Sequence, residues 1–446
     1  MMETELPAGW ALAISATIID VRDGTHDTPK YVDKNGVPLI TSKNLKSGEL
    51  DFEKVSYISQ EDYIEISKRS GVEKGDVLFA MIGTIGNPVM ISGNEIFSIK
   101  NVGLFRKNPE IILSKYLCFF LGSRTFEQQL DARKLLKGTT QKFIPLGNLR
   151  DLHIPLPPLA EQHRIVAKIE ELFSSLDNGI ETLKTAKAQL KVYRQAVLKY
   201  AFEGRLTNPN LQVGELPEGW VHTTLGQVAI KSSEKEYPDK NSKYEFLGMD
   251  SIEPNTTKPI LWYKFSEMKS AGNKFKANQV LYGRMRPYLN KTYLADRDGV
   301  ASGEFIVFDC KDILPLYLLN IIHHRDFVEF ANGKTTGDRP RVSYDELVDY
   351  DILLPTPGEQ SLIIEEIESR LSVCDKIEEC IEQSLQQAEA LRQSILKKAF
   401  EGKLVLQNPK DEPASILLER IKSEREKSKP QKAIKVVKTK AKKEKV

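Results

Sequence analysis

Five side chains able to hydrogen-bond or stack fall within one short stretch: Arg284, Arg286, Tyr288, Asn290 and Lys291. They follow the apolar run Val280-Leu281-Tyr282, so they sit in a turn after a predicted strand. Further on, Lys334, Thr335, Arg339 and Arg341 lie in a Gly/Thr-rich loop of the same region. Arginine donates two hydrogen bonds to guanine O6 and N7, and Asn or Gln pairs with adenine N6 and N7. Lys, Thr and loop N–H groups suit phosphates. An earlier region offers the same kinds of residue. Lys43 and Asn44 follow Val37-Pro38-Leu39-Ile40, and Lys137, Thr139, Thr140, Gln141 and Lys142 form a second Gly/Thr loop. The chemistry these residues point to is recognition of nucleic acid.

Signals for catalysis are weak. Asn332-Gly333-Lys334-Thr335 ends like a phosphate loop, but Val328 stands where the first glycine belongs. No Gly-x-Gly-x-x-Gly follows a strand, so no dinucleotide fingerprint is present. The Asn-Pro pairs at Asn87, Asn108, Asn208 and Asn408 do not continue as an amino-methyltransferase site would. His323 and His324 are adjacent and point different ways on a helix, which argues against a metal pair. Cys118, Cys310, Cys374 and Cys380 make neither a metal pattern nor a disulfide framework.

The residues that must position these loops are written twice. Glu161-Gln162 through Ala201-Phe202-Glu203-Gly204-Arg205-Leu206 returns as Glu359-Gln360 through Ala399-Phe400-Glu401-Gly402-Lys403-Leu404, a constant 198 positions on (Glu161 to Glu359, Leu206 to Leu404). Ile169, Leu176, Leu183, Leu190 and Val197 recur every seven residues, matched by Ile367, Cys374, Ile381, Ala388 and Ile395. Such spacing makes a helical seam. Prolines precede each stretch, and Gly204 and Gly402 stand where a left-handed residue would end it. Roughly 42 residues at about 1.5 Å each give a rod of about 60 Å. Two rods with one apolar stripe apiece bury those stripes most simply on each other; the alternative is that each packs on its own lobe. Gly179, Lys187, Arg194, Glu378 and Arg392 make the pair less than an ideal coiled coil.

Leu6-Pro7-Ala8-Gly9-Trp10 also returns, as Leu216-Pro217-Glu218-Gly219-Trp220, so the whole unit repeats: a Pro-Gly-Trp turn, a globular region, a long helix. Single helices are expected near Ser114–Gln129 and Leu314–Ala331, and a short amphipathic one at Ala414–Glu426. The net charge of +2 hides an asymmetry: residues 422–446 carry eleven Lys or Arg against three Glu, a disordered basic arm in expectation, leaving about −6 elsewhere. A globally basic DNA-binding body is excluded. No apolar run reaches the roughly 18 residues needed to span a bilayer, and the acidic start lacks a secretory pattern. The expectation is a cytoplasmic protein.

Together these features resemble one family, the specificity subunits of type I restriction–modification systems. The residues carrying the resemblance are the two Leu-Pro-x-Gly-Trp turns, Pro155-Leu156-Pro157-Pro158-Leu159-Ala160-Glu161-Gln162 with its weaker copy Leu354-Pro355-Thr356-Pro357-Gly358-Glu359-Gln360, and the helix ends from Arg194 and Arg392. Gly358 departs from the first copy and would loosen the second helix start. The resemblance implies an α+β protein, with two α/β target-recognition domains separated by two long antiparallel helices and related by a pseudo-twofold axis. The divisions would be 1–154 and 207–352 for the recognition domains, 155–206 and 353–406 for the spacer helices, and 407–446 for the short helix and tail. Each domain would read half of a bipartite, asymmetric site in double-stranded DNA, and the helices would fix the unread gap. Half-sites about one turn, roughly 34 Å, apart are within reach of such rods. Exposed helix faces would dock two modification subunits, which bind S-adenosylmethionine and methylate adenine N6. Restriction subunits using ATP and Mg would join them. The chain itself would hold no cofactor, no metal and no active site. Two other readings stay open on the residues alone: a coiled-coil scaffold with no DNA role, and a methyltransferase or nuclease with an unrecognised site.

Overall fold

A computed structural model describes residues 6–46, 48–212 and 214–427. Of the basic arm expected over residues 422–446, the part from position 428 on lies outside the described residues. The chain divides into two compact units, residues 1–181 with 385–446, and residues 182–384. The division explains why the repeat is not two beads on a string: each unit takes one globular region, the start of one long helix and the end of the other.

In unit 1, β1 (Ala11–Ile14), β2 (Val21–Asp23), β3 (Val77–Ala80), β4 (Gly86–Met90) and β5 (Val102–Phe105) precede α1 (Ser114–Leu121) and α2 (Arg124–Ala132). After them come β6 (His153–Leu156) and the long helix α3 (Leu159–Phe202). Strands β2, β5, β3 and β4 pair antiparallel in that order, and β1 pairs with β6, Ala11 opposite Leu156. A second small sheet is built from residues 31–32, 37–40, 56–58 and 98–99.

Unit 2 repeats the plan. It uses β7 (Val221–Thr224), β8 (Ala229–Lys231), β9 (Val280–Gly283), β10 (Thr292–Leu294) and β11 (Phe305–Cys310). Then follow α4 (Pro315–His323), α5 (Arg325–Gly333), β12 (Asp351–Leu354) and the second long helix α6 (Pro357–Phe400). The order β8-β11-β9-β10 matches that of unit 1, and β7 pairs with β12, Val221 opposite Leu354. The last element is α7 (Ala414–Lys427), where the short amphipathic helix was expected; Ala414 is buried in unit 1, with Leu417, Leu418 and Ile421 against the same core.

Two expected helices are each broken in two. Ser123 Oγ accepts from the Phe126 N–H at 3.3 Å, and His324 Nδ1 from the Asp326 N–H at 3.4 Å, so each caps a new helix. The break turns Phe126 and Phe327 back into the cores, where both are buried. The apolar periodicity is continuous through the break, which hid it.

The long helices are equal, each 44 residues, so Gly358 does not shorten the second. Each ends as its sequence requires. Gly204 at φ +77° and Gly402 at φ +67° are left-handed, and an added Cβ would meet Pro217 Cγ and Pro7 Cγ respectively at 2.3 Å. The proline of each Pro-Gly-Trp turn is therefore seated on a helix end. The tryptophan is tied to a helix start: Trp10 Nε1 donates to Glu161 at 3.1 Å, and Trp220 Nε1 to Glu359 at 2.7 Å.

Within each unit the helices run antiparallel. In unit 1, Ile165 and Ile169 of α3 share a core with Ile395, Leu396 and Ala399 of α6. In unit 2, Val197, Leu198 and Ala201 of α3 share one with Ile363 and Ile367 of α6. All five seam residues of α6 are buried; in α3 Ile169 and Val197 are buried, and Leu176, Leu183 and Leu190 half-buried. The stripes thus meet each other, while their ends also enter the lobe cores. The polar residues that looked like flaws pair across the seam. Lys187 reaches Glu382 at 2.7 Å and Arg194 reaches Asp375 at 2.6 Å in unit 2. In unit 1, Arg392 pairs with Asp177, the repeat counterparts of Arg194 and Asp375. Exposed pairs contribute at most about 1 kcal/mol, whereas truncating a buried isoleucine costs about 2–5 kcal/mol. Ile367→Ala should therefore lower stability by that larger amount and Arg392→Ala by under about 1 kcal/mol, measured by urea denaturation; the reverse ranking would assign register and stability to the charges.

Candidate nucleic-acid interface

At one end of the central sheet in unit 2, two loops come together. The strand-end turn leaves β9 at Arg284, whose N–H donates to the Glu304 carbonyl at 2.9 Å. The Gly/Thr loop returns alongside it: Arg286 N–H donates to Pro340 O at 2.7 Å and Val342 N–H to Arg284 O at 3.1 Å. Residues 54 to 57 apart in sequence thereby share one surface (Arg286 to Pro340, Arg284 to Arg341). Arg286 and Asn290 both adopt left-handed backbone, φ +54° and +47°, around the tight turn Pro287–Leu289. Left-handed backbone costs a non-glycine residue roughly 1–2 kcal/mol, so neighbours must hold the turn. Asn290 is one of them: its Nδ2 donates to His323 O at 2.9 Å on α4. Thr292 is another, its Oγ1 2.9 Å from His323 Nδ1; burial, then the neighbouring His324, pushes that imidazole down to about 4.

The turn thereby presents Arg286 and Tyr288 outward, and both are exposed. In the companion loop Lys334, Arg339 and Arg341 are exposed and Thr335 half-buried. Arg284 and Arg341 converge on Glu304, through Nε at 3.3 Å and at 3.1 Å. Burial works to raise the Glu304 carboxyl, but Arg341 and then Arg284 outweigh it and hold it below the ordinary range. The cluster is ionised at neutral pH.

Unit 1 brings together the corresponding loops. Phe143 bridges to Ile82 and to Lys137, and Ile144 N–H donates to Met81 O at 2.9 Å. Lys137, Thr139, Thr140, Gln141 and Lys142 are all exposed on the loop so closed. Lys43 is exposed on a neighbouring turn, tied in by Ser42 Oγ, which donates to Asn101 O at 3.3 Å.

Three candidates do not face outward as expected. Asn44 is buried; its Oδ1 accepts from Thr41 N–H at 3.0 Å and its Nδ2 donates to Asp51 O at 3.0 Å. Asn290 is likewise buried. Lys291 is half-buried and donates to Met249 O at 2.6 Å, with burial lowering its pKa. These three build the loops rather than present a surface, because an amide or ammonium beside free carbonyls is drawn to them.

Sequence reading missed two groups at the same sheet ends. Glu304 is one. The other is His26, whose Nδ1 lies 2.8 Å from Asn101 Oδ1 and Nε2 2.8 Å from Asp23 Oδ2. Asn101 immediately precedes β5 as Glu304 immediately precedes β11. No local motif marks either, since their partners are brought in by strand pairing. Asn101, then Asp23, raises the His26 pKa, against burial and the charge of Arg69 on the far side of Asp23. Any DNA affinity owed to imidazolium should thus be present at acidic pH and fade as pH rises through the elevated value. Titration of the His26 ring protons should give a midpoint above 6.5 that falls in Asn101→Ala; a midpoint at or below 6.5 would deny the imidazolium this role.

Among the described residues no group of three or more His, Cys, Asp and Glu could hold a metal ion, and no helix is long and apolar enough to cross a membrane.

Comparison with known proteins agrees with this architecture. Residues 19–192 match the family described as type I restriction modification DNA specificity domain. The chain is 28% identical over 378 residues to the EcoDI specificity subunit of a type I restriction enzyme from Escherichia coli, covering 76% of this chain and 84% of that protein. A solved chain from a study of type I R-M complex assembly and conformational transition aligns with TM-score 0.67 at 20% identity, over 90% of this chain and all of that one. The HsdS subunit from Thermoanaerobacter tengcongensis aligns with TM-score 0.55 at 20% identity, over 90% and 98%.

Proposed function

We propose, for a chain that belongs to the DNA specificity subunits of type I restriction–modification systems, that each of its two units reads one half of a bipartite, asymmetric DNA site. The chain is the non-catalytic recognition component of such an enzyme. The observation that carries the reading is the pair of loops brought to one sheet end in each unit, on a shared plan but with different residues. Unit 1 offers Lys43, Lys137, Thr139, Thr140, Gln141 and Lys142; unit 2 offers Arg284, Arg286, Tyr288, Lys334, Thr335, Arg339 and Arg341. A common scaffold with unlike side chains suits two unlike half-sites. The long helices set the unread gap and dock two modification subunits on their exposed faces, which include Val373, Ile377 and Leu391. Those subunits supply S-adenosylmethionine chemistry on adenine; restriction subunits add ATP and Mg.

Exchanging residues 207–352 for the equivalent stretch of a relative, and mapping adenine methylation made with the modification partner, tests this. The expected result is a new sequence in one half of the site and an unchanged other half. A scaffold with no DNA role would leave the methylated site as it was.

A further inference from the structure

Glu304 joins two loops through one carboxylate. Arg284 Nε lies 3.3 Å from its Oε2 and Arg341 Nε 3.1 Å from the same oxygen. Both arginines use Nε, which leaves the Nη1/Nη2 edge of each guanidinium outside this pairing. That edge can give two hydrogen bonds to guanine O6 and N7. A purely structural tie would be expected to be short and enclosed. Here the contacts are longer than the 2.7–2.9 Å usual for charged pairs, and the side chains of Arg284 and Arg341 are 35% and 46% exposed. Exposed pairs of this kind contribute little to folding. Glu304 also offsets the repulsion between two cations at close range, leaving the trio with one net positive charge. Because both Nε atoms share one oxygen, they stand at most about 6.4 Å apart (3.3 Å and 3.1 Å end to end). That is close to two base steps of about 3.4 Å, so the guanidinium edges beyond the two Nε atoms can meet pairs that are adjacent or separated by one pair.

We propose that Glu304 is a positioning residue that sets Arg284 and Arg341 as a pair of guanine readers, so that the half-site of unit 2 holds two G·C pairs adjacent or one pair apart. The proposal rests on unit 2 being a DNA reader. It also separates the units chemically: at the equivalent place unit 1 has Asn101, which holds His26 instead of two arginines.

The test maps adenine methylation by the whole chain with its modification partner, for the wild type and for Arg284→Ala, Arg341→Ala, Glu304→Ala and Glu304→Asp. Arg284→Ala and Arg341→Ala should each relax one G·C position of the same half-site, by about tenfold to a hundredfold. Glu304→Ala should relax both positions, Glu304→Asp should restore part of the preference, and the other half-site should stay strict. The proposal is overturned if that half-site lacks two G·C pairs so spaced. It is equally overturned if Glu304→Ala leaves the preference unchanged, or weakens all positions of both halves evenly as loss of structure or of a phosphate contact would. Failure of the underlying reading looks different: replacing all of residues 207–352 would then leave the methylated sequence untouched.

Discussion

Replacing Gln360 by leucine should destabilise unit 2 by about 3–5 kcal/mol, since leaving a buried polar group unpaired costs about 1–3 kcal/mol each. Gln360 is fully buried at the start of α6. Its Oε1 accepts from the Leu314 N–H at 2.7 Å, and its Nε2 donates to Asp312 O at 3.2 Å and Pro355 O at 3.1 Å. The side chain thus ties the helix start to the loop leading into α4. Leucine fills the space but strands one N–H and two carbonyls. Gln162 does the same in unit 1, with Leu113 N–H at 2.9 Å, Ile111 O at 2.9 Å and Pro157 O at 3.1 Å. Gln360→Glu keeps the acceptor but sets a second one against the carbonyls. It should destabilise at neutral pH and recover in part as pH falls, because a protonated carboxyl can donate again. Urea denaturation followed by far-ultraviolet circular dichroism reads both effects. A Gln360→Leu protein within about 1 kcal/mol of the wild type would show that the Glu-Gln pair at each helix start is not this anchor.

Lengthening both long helices by one heptad, after Glu181 and after Ser384, should widen the unread gap of the methylated site by about three base pairs. These positions are where each helix passes from one unit to the other. Seven residues add about 10 Å of helix, against a rise of about 3.4 Å per base pair. A heptad keeps the apolar seam facing its partner, so both cores should survive the insertion. Sequencing of methylated DNA reads the gap directly. Both half-sites should persist with their spacing changed; an unchanged gap would remove the helices from the role of ruler.

The repeat made the scaffold legible. Seam residues Ile169, Cys374 and Ile395, the terminating Gly204 and Gly402, and the doubled Pro-Gly-Trp turn all announce themselves by spacing, because helix geometry is local. The breaks at Ser123 and His324 did not, since a cap inside a continuous apolar pattern is decided by where Phe126 and Phe327 find room in the core. The loops at the interface were found by composition, but their internal division of labour was hidden. Asn44 and Asn290 have the chemistry of base readers and are turned inward by nearby carbonyls and N–H groups. Glu304 lies 20 residues from Arg284 and 37 from Arg341, and only strand pairing and loop return bring the three together. His26 and Asn101, 75 apart, are joined in the same way.

Whether two units read two half-sites across a gap set by the helices is answered by single-molecule sequencing of adenine methylation in cells carrying this chain with its modification partner and no other methyltransferase. The expected result is one asymmetric sequence of two specified parts around a fixed unspecified gap, absent when this chain is deleted. A single uninterrupted sequence, or a bipartite one that persists without the chain, would contradict it.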